Sequence, residues 1–67
     1  PRSIEALTKV LLTGDTLVRI HAAWAIGRIG GVDALASLES ASIHEEDNAV
    51  LEEIELSILS LTDNANE

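Results

Sequence analysis

The sequence predicts an all-α fold, and three observations carry that expectation. The first is composition. Apolar residues make up 46% of the chain, yet Trp24 is its single aromatic residue and Phe, Tyr and Met are absent. Ala, Leu, Ile and Val in that balance suit helices packed closely through small side chains, and suit a sheet poorly. The second is the stretch Asp15–Gly31, DTLVRIHAAWAIGRIGG. It reads as a helix cap, a small-residue helix apolar on nearly all sides, and a double-glycine stop. A helix that hides most of its circumference needs neighbours on both sides. The third is internal repetition. Ile4-Glu5-Ala6-Leu7 matches Val32-Asp33-Ala34-Leu35 at a spacing of 28, and Asp15, Val18, Ala22, Ile26 and Ile29 match Asp47, Val50, Ile54, Ile58 and Leu61 at a spacing of 32. A helix-pair repeat of about 30 residues predicts a short α-solenoid of two antiparallel pairs, four helices in all.

The elements follow in order. Ser3 can cap a first helix from Ile4 to Leu12, whose apolar stripe is Ile4, Leu7, Val10 and Leu11. Thr13-Gly14 breaks it. Asp15 caps the second helix by offering its carboxylate to free N–H groups at the positive helix end. That helix runs to Ile29 and stops at Gly30-Gly31, where one glycine can take a left-handed closing conformation. A third helix from Val32 to Ser40 carries Val32, Leu35 and Leu38. The segment from Ala41 to Asp47 reads as a loop, and the four-residue difference between the two spacings falls within it at Ser42 to Glu45. Asp47 repeats the capping role of Asp15. The fourth helix, Asn48 to Leu61, bears Val50, Leu51, Ile54, Ile58 and Leu61 on one stripe, with Glu52 and Glu55 opposite. The first repeat is thus 1–31, the second 32–62, and 63–67 a tail expected to fray.

Sixty-seven residues make one small domain, which buries only about 60% of the surface of its unfolded chain. No cysteine is present, so disulfides, thiolate metal sites and cysteine nucleophiles are excluded. No apolar run approaches the roughly 18 residues of a membrane span. The chain opens on Pro1-Arg2-Ser3 with no signal-peptide pattern, and is expected to be a piece of a longer, cytoplasmic protein. Net charge is −8, but unevenly spread: residues 1–31 carry four basic and two acidic side chains, residues 32–67 ten acidic and none basic. The second half is a solvated acidic face that disfavours nucleic acid.

The pattern Asp15-x-x-Val18-Arg19 followed by Ala22-Ala23-x-Ala25-Ile26-Gly27-x-Ile29-Gly30 resembles the HEAT-like repeat of bilin lyases and bacterial scaffold proteins. A longer string, His21 through Gly31, then Ala34-Leu35, Leu38-Glu39 and Glu52-Glu53-Ile54, is similar to the C-terminal segment of epoxyqueuosine reductase. That resemblance implies a non-catalytic module that helps position tRNA for a catalytic domain elsewhere in its parent chain. It also implies cobalamin and 4Fe–4S clusters in that parent, an oxidoreductase of queuosine biosynthesis. This chain has none of the cluster-binding cysteines, so no cofactor is expected in it. The alternative is a protein-binding scaffold of the bilin-lyase-like kind.

Individual residues sharpen these readings. Arg19 follows Asp15 by four positions, so the two can pair on one helix face for a few tenths of a kcal/mol; bracing the adjacent turn is the favoured role of Arg19. Arg28 lies about 180° from Arg19 around the helix, so the two form no common patch. A phosphate or tRNA contact would fall to Lys9, Arg19 or Arg28 singly, with Arg2 as a further cation. Trp24 reads as filler between repeats, without a basic or aromatic companion at helical spacing. His21 has no adjacent Glu of the kind that binds iron in deoxyhypusine hydroxylase, another HEAT-like protein. His44-Glu45-Glu46-Asp47 has metal-binding residue types but only one copy, so no metal and no catalytic residue is assigned. Leu56 and Leu59 leave the apolar stripe of their helix and lie among Glu52 and Glu55, a candidate docking surface.

Overall fold

The computed structural model describes residues 4–65, with side chains as far as residue 63. It contains α1 (Ile4–Thr13), α2 (Thr16–Ile29), α3 (Val32–His44) and α4 (Asn48–Ala65). Among the described residues there is no strand. Ser3, the cap expected for α1, lies outside the described residues, as does Arg2.

Local chemistry places the helix boundaries. Asp15 stands in extended backbone and its Oδ1 accepts the Val18 N–H at 3.0 Å, which starts α2. At the head of α4 the Asp47 Oδ1 accepts the Ala49 N–H at 2.9 Å. Each satisfies one of the N–H groups that a helix start leaves without an intrahelical partner. The α2 stop is more constrained than a left-handed cap. Gly30 has φ 73° and ψ −178°, and Gly31 has φ 94° and ψ 175°. Positive φ with extended ψ is open almost only to glycine, so both residues are required to turn the chain into α3.

α2 and α4 pack side by side, α1 packs on α2, and α3 packs on α4. α1 and α3 also touch, with the Thr8 and Ser37 hydroxyls 3.0 Å apart. The result is two layers, α1 with α3 and α2 with α4. Their shared core is Leu11, Ala22, Ala23, Ile26, Ala34, Leu38, Ala41, Val50 and Ile54. Ile4, Leu7, Val10, Ile20, Ile58 and Leu61 pack against it while still partly exposed. Two of the four helices, α2 and α3, place alanines in this core, which lets helix axes approach closely there.

Three expectations are corrected. α3 does not end at Ser40 but runs on to His44, because Ala41 is buried and the Glu45 N–H still donates to the Ala41 carbonyl at 3.0 Å. Packing of Ala41 overrides the loop-like composition that follows it. The four extra residues of the second repeat therefore lengthen a helix more than a loop: α3 has 13 residues against 10 in α1. α4 likewise continues past Leu61 to Ala65, so most of the expected frayed tail is helical. Leu61 and Thr62 are half-buried, and each further residue then adds a backbone hydrogen bond at little cost. Finally Val32, expected in the stripe of α3, is exposed, while Ala34 and Leu38 carry the burial.

Candidate interaction surface

The α2 residues Leu17, His21, Trp24 and Arg28 recur at helical spacing and form one outward stripe. All four are exposed, and the Arg28 guanidinium carbon lies 5.6 Å from the centre of the Trp24 ring. This is cation–π distance, and at an exposed site contributes about 0.5–1 kcal/mol. Arg28 is thus the companion that the sequence reading missed, and its i+4 spacing from Trp24 was the available signal.

Beside this stripe α4 presents Glu53, Leu56 and Ser60. The two helices come close because α2 has glycine at the contact: a Cβ on Gly27 would stand 3.0 Å from the Ser57 Cβ. Two shallow cavities flank Trp24. One of about 250 Å³ is bounded by Arg28, Leu56 and Ser60, the other of about 320 Å³ by Ile20 and His21. Trp24 and Glu53 line both. The buried Ser57 hydroxyl donates to Glu53 Oε2 at 3.2 Å, holding that carboxylate at the groove wall. The groove therefore offers an indole, a leucine, a cation and an anion within one small area. It has no nucleophile–base pair, and among the described residues no group of three or more His, Asp or Glu is placed to hold a metal ion. His21 lines the second cavity; His44 is exposed at the end of α3, its Nδ1 3.2 Å from the Ser40 carbonyl.

The remaining charges are arranged for structure. Arg19 does not pair with Asp15 as its i+4 spacing suggests. Its Nη1 lies 3.2 Å from Glu45 Oε2 and its Nη2 3.8 Å from Asp47 Oδ2, across the boundary between the two helix pairs. Asp15 is meanwhile committed to the α2 cap. Glu45 also accepts the Asp47 N–H at 3.0 Å, and Thr16 donates to Asp47 Oδ2 at 2.7 Å. The Thr16 hydroxyl first, then the Ala49 N–H, hold the Asp47 carboxyl below its ordinary range. Neither Glu45 nor Asp47 was foreseen as a partner of Arg19, because they lie 26 and 28 positions away and no local spacing links them.

The three candidate phosphate contacts are consequently dispersed. Arg19 is engaged by carboxylates. Lys9 sits two positions from buried Leu11, so on the outer side of α1, and Arg28 two positions from buried Ile26, on the outer side of α2. The structure brings no two of them together. Leu56 and Leu59 are both exposed, with Leu56 in the groove beside Trp24 and Leu59 about 60° further round the helix.

This helix-pair architecture agrees with the sequence family. The chain matches the family described as HEAT repeats over residues 1–58. It belongs to the HEAT-repeat family. No curated protein and no solved structure matches it. In HEAT terms, α1 and α3 form one layer of the short solenoid, while α2 and α4, which carry the groove, form the other. No helix among the described residues is long and apolar enough to cross a membrane.

Proposed function

We propose that the chain is a non-catalytic, cytoplasmic HEAT-repeat module that binds protein through the α2/α4 groove. The observation that carries this reading is Trp24, half-exposed and stacked by Arg28 beside the exposed Leu56. Tryptophan and arginine dominate the binding energy of protein interfaces, and an exposed large aromatic at the centre of a groove is placed to serve as an anchor. HEAT repeats suit a scaffold role, since stacked helix pairs present extended surfaces.

A finer reading follows from the string His21–Gly31: the module is the C-terminal part of an epoxyqueuosine reductase and helps position tRNA. Its support is that resemblance and the exposed cations Lys9 and Arg28. Electrostatics weigh against it, because Arg19 is occupied and ten carboxylates follow Gly31 without a basic residue. The cobalamin and 4Fe–4S clusters of such an enzyme would belong to other parts of it.

Trp24 is the single tryptophan, so its emission reports the groove directly. Titration with helical peptides selected from a random library is expected to shift that emission to the blue. Leu56→Ser should weaken the same binding at least about tenfold, a loss near 1.4 kcal/mol. Selection that yields no such peptide, together with salt-dependent tRNA binding weakened by Arg28→Ala or Lys9→Ala, would replace this reading with the RNA one.

A further inference from the structure

We infer that the α1/α2 edge is an open stacking surface for another helix pair, one presenting the small-residue face that α2 presents to α4, and that the α4 edge does not accept such a pair.

The repeat register allows the two edges to be compared position by position. α4 faces α2 through Val50, Ser57 and Leu61: Val50 and Ser57 are buried, Ser57 packs at Gly27, and Leu61 lies beside Gly30. Thirty-two positions earlier these are Val18, Ala25 and Ile29. Val50 is 0% exposed, whereas Val18 is 44% and Ile29 49% exposed. The first repeat therefore leaves Val18 and Ile29 uncovered, with Ala25 half-buried between them, at the positions through which the second repeat packs on the first. Asp15 repeats the pattern in charge. Its counterpart Asp47 receives the Thr16 hydroxyl and the Arg19 guanidinium from the neighbouring repeat, while Asp15 has Oδ1 on the Val18 N–H.

The interface already present states what would cover this edge. α2 receives the second repeat with Thr16 and Arg19 on the turn before α4, with buried Ala23, and with Gly27 against Ser57, where an added Cβ would stand at a tight 3.0 Å. An incoming helix with Thr-x-x-Arg, then Ala and Gly four and eight positions after that Arg, would set its Arg against Asp15 and its small residues against Val18, Ala25 and Ile29.

The opposite edge lacks this chemistry. In α4 the positions of Thr16, Arg19, Ala23 and Gly27 are Asn48, Leu51, Glu55 and Leu59. Glu55 and Leu59 are exposed and stand where alanine and glycine allow close approach in α2. A helix packed there would meet a leucine in place of the glycine notch and bury a carboxylate. Glu55 and Leu59 thus give this edge the outer face of a capping repeat, while Leu56 belongs to the groove beside Trp24. A second copy cannot fill the open edge either, since its own small-residue face is already covered by its α4.

The test is a tandem chain with an extra copy of residues 4–31 placed directly before Ile4, so that Gly31 precedes Ile4 as it precedes Val32. Its melting temperature should exceed that of the original chain by at least about 4 °C. Gly27→Leu in the added copy alone should remove the gain at constant length. An extra copy of residues 32–65, joined after α4 through two glycines, should give none. The inference is overturned by an absent gain, by a gain that survives Gly27→Leu, by an equal gain at the α4 edge, or by dimerisation of the original chain abolished by Val18→Lys.

Discussion

Arg19 and Glu45 form an ion pair at 3.2 Å that ties the second helix of one repeat to the turn of the next, with side chains 23% and 6% exposed. The carboxylate is simultaneously fixed by the Asp47 N–H, so the arginine meets a preorganised partner. Glu45→Gln leaves the arginine charge half-buried against a neutral group. The expected loss is about 1–3 kcal/mol, toward the lower end because Arg19 retains some solvent and Asp47. Urea unfolding checks this. Adding Arg19→Met should restore part of the stability, since an apolar side chain there strands no charge; a double variant less stable than Glu45→Gln alone would contradict the pairing.

The Gly30-Gly31 corner gives a second prediction. Both residues hold positive φ with extended ψ, a region that a Cβ disfavours. Gly31 has no heavy atom within 4 Å of a built Cβ, so the cost of Gly31→Ala is backbone strain alone. Thermal unfolding should show a loss of about 1–3 kcal/mol for Gly31→Ala, with Gly30→Ala similar. Asp15→Ala offers a scale for comparison, as removal of a helix cap costs about 1 kcal/mol.

A third prediction concerns acid. The Thr16 hydroxyl and the Ala49 N–H favour the charged form of Asp47 and lower its pKa in the folded chain beneath the ordinary 3.8. The native state then binds this proton less readily than the unfolded state. The stabilising contribution is complete above that ordinary value and is lost as pH falls through the lower, folded one. The urea midpoint, followed from about pH 5 to about pH 2, should therefore decline, and Thr16→Val should flatten part of that decline. An identical slope in both chains would remove Asp47 from the account.

Sequence spacing reached the fold because its signals are local. The Asp15 carboxylate, the α2 span ending at Ile29 and the double-glycine corner depend on residues within a few positions of one another. The register of 32 between Val18 and Val50 is a comparison of the chain with itself. The Arg28–Trp24 stack is local in the same way, at i+4 spacing, but the sequence reading gives Trp24 no basic companion and the structure supplies it. The site was less legible. Trp24 could be named from sequence as the chain's one aromatic, but its groove requires Glu53 and Leu56 from a helix about thirty residues away.

What the sequence by itself determined is the number and order of the helices, the capping of α2 and the repeat that makes them a solenoid. Only the tertiary structure decided that α3 continues past Ser40, that Arg19 takes Glu45 over Asp15, and that Val18 is uncovered where Val50 is buried. The physical reason is common to all three. Backbone capping and periodicity are fixed by neighbours along the chain, whereas burial, and the choice of a charge partner, are fixed by whichever helix lies across the interface.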